Sequence, residues 1–159
     1  MALMDVKPSG SMRAFEIFPF LLIPVLIYNL LVLFSAPVPA EALEPSLFAT
    51  LRAEAFSLSM LSGSTLSLGW GDMLLLLSIA FLLIEIVKAP RTSSPSIINH
   101  MLSMAVFILC LVEFLMLRSF ASATFFLMTM MVLLDAMAGM AVTIIAARRD
   151  FDVGGSGGN

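Results

Sequence analysis

Charge is scarce in this sequence. Only 12% of its residues are Asp, Glu, Lys or Arg, while 60% are hydrophobic and mean hydropathy is +1.07. Ordinary globular domains carry about a quarter charged and about half apolar residues, so the chain reads as one polytopic membrane domain. Cysteine is reduced to Cys110, which excludes an intramolecular disulfide and any multi-cysteine metal or redox motif. The net charge is only −3 and no basic run resembles a nucleic-acid footprint, so a nucleic-acid partner is set aside. Gly-rich phosphate loops, a nucleophile elbow, HExxH and CxxCH are all missing. No enzyme is expected, and no catalytic residue, cofactor or metal is assigned. His100 and Met104 share a helix face with Cu(I)-compatible donors, yet no ligand motif repeats. The 13 methionines read as adaptable packing filler.

What is present is a set of long apolar runs. The most informative is Ala123–Ala147, 25 residues, enough at 1.5 Å per residue to cross a hydrocarbon core of about 30 Å with some tilt. Three further spans are expected at about 15–35, 71–88 and 97–117. Together they make an all-α, four-transmembrane-helix bundle over residues 15–147, with a polar N-terminal segment 1–14 and a glycine-rich, flexible tail 148–159. The first run is longer than the h-region of a signal peptide and is expected to be retained. Pro19 is harmless in a first helical turn, whereas Pro24 is expected to kink the span.

Residues 36–70 form the one long connection. Its proline-rich start cannot sustain a helix, and SLFATLRAEAF after Pro45 reads as a short amphipathic helix with Leu47, Phe48, Leu51 and Ala55 on one face. Beyond it, Phe56, Leu58 and Met60 alternate with serines, as do Leu66 and Leu68 after Ser62-Gly63-Ser64. Such period-two alternation around a glycine turn signals a β-hairpin, with continuation of the short helix as the rival. Its open edges place it at the water interface, apolar face on the bundle or membrane. Trp70 marks the boundary, and Asp72 is positioned to cap the following helix.

Counting basic residues beside the spans orients the chain. Lys7, Arg13, Lys88, Arg91, Arg148 and Arg149 fall on one side, against Arg52 and Arg118 on the other. The positive-inside rule then puts both termini in the cytoplasm. The four-span plan with an external hairpin resembles that of small bacterial inner-membrane proteins, which gives the expected location. Trp70, Lys88, Arg118, Arg148 and Arg149 are the expected interface anchors.

Asp135 is the only ionisable residue within Ala123–Ala147, and an unpaired charge at that depth costs several kcal/mol. Gly139, Thr143 and Ala147 follow it at four-residue steps and form a small-residue seam suited to helix packing. Asn29, Ser78 and Cys110 fall at comparable depth, so a mid-membrane polar layer with Asp135 is geometrically allowed. Glu85 lies three residues from Lys88, and Glu113 five from Arg118, which reads as two interfacial charge pairs. His100 reads as an interfacial histidine. Asp135, Asn29, Glu113 and Glu85 are therefore the polar or proton-handling candidates. The expected function is a structural or accessory subunit of an inner-membrane assembly, in contact with lipid and with other subunits or copies of itself. The alternative is a small proton-coupled channel or transporter titrating at Asp135.

Overall fold

The computed structural model describes residues 17–88 and 94–155, with backbone only for 94–96, 142, 143 and 145–155. The elements run in order α1 (Leu22–Phe34), α2 (Ser46–Arg52), β1 (Glu54–Ser59), β2 (Thr65–Gly69), α3 (Trp70–Lys88), α4 (Ser94–Met116), a 3-10 turn (Arg118–Phe120) and α5 (Ala123–Gly155). Three helical stretches are long and apolar enough to cross a membrane: Trp70–Lys88, Ile97–Met116 and Ala123–Ala141. Their positions match the second, third and fourth expected spans.

The first expected span, 15–35, is different. Its helix α1 has only 13 residues, about 20 Å at 1.5 Å per residue and short of a 30 Å core. The chain instead turns at its start, where Leu22 N–H donates to Pro19 O and Ile23 N–H to Phe20 O, both at 3.0 Å. Pro24 consequently lies in the first turn of α1, where a missing N–H would have no intrahelical partner anyway. It opens the helix rather than kinking it.

The connection 36–70 folds as a cap on the bundle. Leu47 and Leu51 of α2 are buried in the core with Leu74, Phe120 and Phe125, and α2 stops at Arg52, leaving Ala55 in the sheet. β1 and β2 pair antiparallel with Phe56 opposite Leu68, Ser57 opposite Ser67 and Leu58 opposite Leu66. The alternation therefore made a hairpin, and the rival helical continuation is excluded. Its turn closes with Met60 N–H to Ser64 O at 2.8 Å and needs Gly63, whose φ is +83°, a conformation costly for residues with a Cβ. At the hairpin base, Asp72 Oδ2 accepts from Gly69 N–H at 2.8 Å. A Cβ on Gly69 would fall 2.7 Å from Leu51 O, and one on Gly71 would fall 2.6 Å from Thr124 Oγ1. Glycine at both places lets α2 and α5 meet the start of α3.

α5 packs along α4 and α3, and α1 touches all three. At the hairpin end the core is aromatic. Tyr28, Phe120 and Phe125 form a triangle with ring centroids 4.8 to 5.5 Å apart. The Tyr28 hydroxyl donates to Ser119 O at 3.0 Å and lies 2.7 Å from Ser122 Oγ, so the phenol is both buried and satisfied. α5 runs beyond Arg148 and Arg149 to Gly155, past the start of the tail that composition predicts to be flexible. The stretch RRDFDV holds neither glycine nor proline, so nothing stops the helix before Gly154. The side chains of Thr143, Ala147, Arg148 and Arg149, and the whole of segment 1–14, lie outside the described residues.

Candidate functional site

The polar groups inside the bundle fall into two clusters at opposite ends, rather than one layer at mid-depth. Asn29 belongs to the hairpin end. Its Nδ2 donates to Val25 O at 3.1 Å and to Glu113 Oε2 at 3.3 Å, tying α1 to α4. Glu113 thus takes an amide from α1 and not the expected Arg118. That guanidinium turns instead to the carbonyls of Pro39 and Ala42 and fastens the proline-rich loop to the α4–α5 turn. Arginine carries five donors in a planar fork, and two backbone acceptors offered by a loop without helical hydrogen bonds satisfy it as well as a carboxylate would. Ser78 is spent on its own helix, donating to Leu74 O at 2.8 Å, and Cys110 is fully buried among apolar side chains. The layer of Asp135, Asn29, Ser78 and Cys110 does not assemble, because α1 presents Asn29 to the far end of α4.

The second cluster lies at the Lys88 end and joins α3, α4, α5 and the turn before α1. Spacing explains its membership. Glu85 and Lys88 are three apart on α3, Asn99 and Ser103 four apart on α4, and Asp135 and Gly139 four apart on α5, so each pair shares a helix face. Glu85 is 1% exposed and Lys88 9%, so this pair is buried between helices at the end of α3 rather than solvated. Lys88 Nζ is 2.9 Å from Glu85 Oε2. It also donates to Asn99 Oδ1 at 3.1 Å and to Phe18 O at 2.7 Å, and lies 4.7 Å from the centre of the Phe20 ring. Glu85 in turn accepts from Asn99 Nδ2 at 3.3 Å and from the Phe20 backbone N–H. Two opposite charges with this many hydrogen bonds meet the condition under which a buried ion pair is tolerated.

Asp135 adjoins this clamp. Its carboxyl faces the Ser103 hydroxyl and lies within electrostatic reach of Glu85 and Lys88. The approach falls short of hydrogen-bond geometry, so Asp135 Oδ2 and Ser103 Oγ are both buried and unbonded. His100, expected at the interface, is also buried, with its ring laid against Gly139. A Cβ added there would come within 2.0 Å of His100 Nδ1. The seam that begins at Asp135 and Gly139 therefore receives an imidazole from α4 where another helix backbone was expected.

Asn99 escaped the sequence reading altogether. The usable signal was a stripe of Asn99, Ser103, Val106 and Cys110 at four- and three-residue steps along α4, polar toward one end and apolar toward the other. Sequence spacing alone does not show that Phe18 supplies its carbonyl to Lys88 and Phe20 its backbone N–H to Glu85, partners far along the chain.

The close fit at Gly139 makes a sharp prediction. Gly139→Ala is expected to lower stability by about 1–3 kcal/mol through overpacking against the imidazole. In a His100→Ala background the same change should be neutral or stabilising by up to about 1 kcal/mol, the helical preference of alanine over glycine. Reversible unfolding in mixed micelles reads both; equal losses in the two backgrounds would show that the imidazole is not what Gly139 accommodates.

Cavities lie beside these clusters, among them one of about 330 Å³ lined by Asn29 and Glu113 with Leu26, Leu30 and Leu117. A groove of about 470 Å³ between Phe18–Leu22 and α4 is lined, among the described residues, by apolar residues including Leu102, Val106 and Leu109. Another, of about 540 Å³, lies at the hairpin base. Its charged groups are engaged locally, Arg52 with Glu44 at 2.9 Å and Glu54 with Ser67 at 3.3 Å. Among the described residues no group of three or more His, Cys, Asp or Glu could hold a metal ion. Comparison with protein-family models, with curated proteins and with solved structures found no match in any of the three.

Proposed function

We propose that this protein is a structural or accessory subunit of an inner-membrane assembly, with both termini cytoplasmic and α1, together with the segment before it, serving as a fourth membrane element. The observation that carries this reading is the set of contacts that the buried Glu85–Lys88 pair makes across the bundle. Carboxylate and ammonium are spent on Asn99 of α4 and on backbone groups of Phe18 and Phe20, so the charges lock helices together. A group that moves ions or protons needs an approach for them. The groove nearest this pair is lined, among the described residues, by apolar side chains. Among the described residues, what lies between the long helices is mainly a seven-residue helix and a two-stranded hairpin, which favours a packing role. Extraction in mild detergent followed by native mass spectrometry tests the proposal: the expected particle contains other subunits or further copies in fixed stoichiometry.

One observation favours a second reading, a proton-coupled channel or transporter. Asp135 Oδ2 and Ser103 Oγ are buried without hydrogen-bond partners, and intramembrane acids commonly mark proton pathways. Proton flux in vesicles separates the two readings, since Asp135→Asn keeps the shape of the side chain while removing its titration.

A further inference from the structure

The β1–β2 hairpin is amphipathic and nothing among the described residues covers its apolar face. Phe56, Leu58, Leu66 and Leu68 share one face by the register of the ladder, and Ser57, Ser59, Thr65 and Ser67 share the other. Phe56 and Leu58 remain 52% exposed, so the apolar face does not rest on the bundle. A lone two-stranded hairpin is at best marginally stable in water. A 17-residue stretch, Ala55–Gly71, holds no ionisable side chain, which leaves no charge to steer or register a protein partner.

Its root fixes where the hairpin lies. β2 ends at Gly69 and α3 begins at Trp70. The 19 residues of α3 span about 28 Å, so a membrane crossing by α3 sets Trp70 at the hydrocarbon boundary. Strands of five and six residues reach about 17–20 Å from that point. We propose that the hairpin is a membrane-interface foot. It lies on the leaflet at its own end of the bundle, with Phe56, Leu58, Leu66 and Leu68 dipped into the boundary between headgroups and acyl chains, and the serine face in water. Uncharged headgroups suffice, since no cation is present to select anionic lipid. Water at the headgroup level satisfies the open strand edges, which the hydrocarbon core would not. The foot holds α3 at fixed depth although that helix is barely long enough to span.

Trp70 is the only tryptophan, which makes the test direct. In phosphatidylcholine vesicles with brominated acyl chains, Trp70 of the wild-type protein reports whether α3 is inserted as described. In a Trp70→Phe background, Leu58→Trp and Ser57→Trp then place the probe on opposite faces at adjacent positions, with Leu66→Trp and Ser67→Trp as a second pair on the other strand. Apolar-face probes are expected to be quenched roughly twofold more by brominated chains than serine-face probes, for a face buried to about 5–10 Å, and serine-face probes to be quenched preferentially by aqueous iodide. Iodide quenching of both faces, meaning a hairpin free in water, would overturn the proposal. So would protection of the apolar face from both quenchers, meaning cover by a second copy or another protein. Unquenched Trp70 would instead refute the placement of α3 on which the proposal rests.

Discussion

Lys88→Met alone is expected to destabilise the protein by about 3–5 kcal/mol, the cost of leaving a buried partner charge uncompensated. Glu85 would keep its hydrogen bonds from Asn99 and the Phe20 N–H but lose the ammonium 2.9 Å away. Glu85→Leu alone should be similarly damaging, since the buried Lys88 would lose the carboxylate 2.9 Å from its ammonium. Glu85→Leu combined with Lys88→Leu is expected to cost far less than the two single losses added together. Apolar replacement of a buried pair is often near neutral, although here Asn99 and the backbone groups of Phe18 and Phe20 lose partners at about 1–3 kcal/mol for each that stays buried. The magnitude distinguishes two placements of the same residues. An interfacial, solvated pair at three-residue spacing is worth less than about 1 kcal/mol. Single-mutant losses of that size in a micellar unfolding titration would return Glu85 and Lys88 to the surface.

The second large effect concerns Asp135. Asp135→Leu is expected to weaken the α4–α5 seam by about 1–3 kcal/mol, because a branched side chain replaces a flat carboxyl in a buried, packed position. If assembly depends on that seam, the association constant falls by roughly 5–150-fold for the same energy. Asp135→Asn keeps the shape and adds an amide donor opposite Ser103 Oγ, so it should retain assembly. Equal disruption by both substitutions, or by neither, would count against a structural carboxyl. Intact assembly with lost proton flux in Asp135→Asn would move the residue to the proton-handling reading, because the amide cannot titrate.

Length and period were legible in the sequence. The runs that became α3, α4 and α5 declare themselves by apolar length, and Ser62-Gly63-Ser64 between alternating leucines and serines declares the hairpin, because a strand turned at a positive-φ glycine has few other solutions. Rotation of the helices was not legible. A helix that is apolar nearly all round does not reveal which face turns inward, so Asn29 was read at the depth of Asp135 when its partner is Glu113. Glu85 and Lys88 were found as a pair, but their burial depends on Asn99 and on backbone groups before α1, none of which is near them in sequence. His100 was misplaced for the same reason: only the packing of α4 on α5 shows that Gly139 leaves room for it. Pro24 was read as a kink because the start of α1 was set several residues too early.

The account stands most directly on the mass of the particle released by mild detergent, measured by native mass spectrometry with every copurifying protein identified. It predicts a fixed stoichiometry of this chain with other subunits or with further copies, retained in Asp135→Asn. A monomer alone, carrying proton flux that Asp135→Asn abolishes, would contradict it.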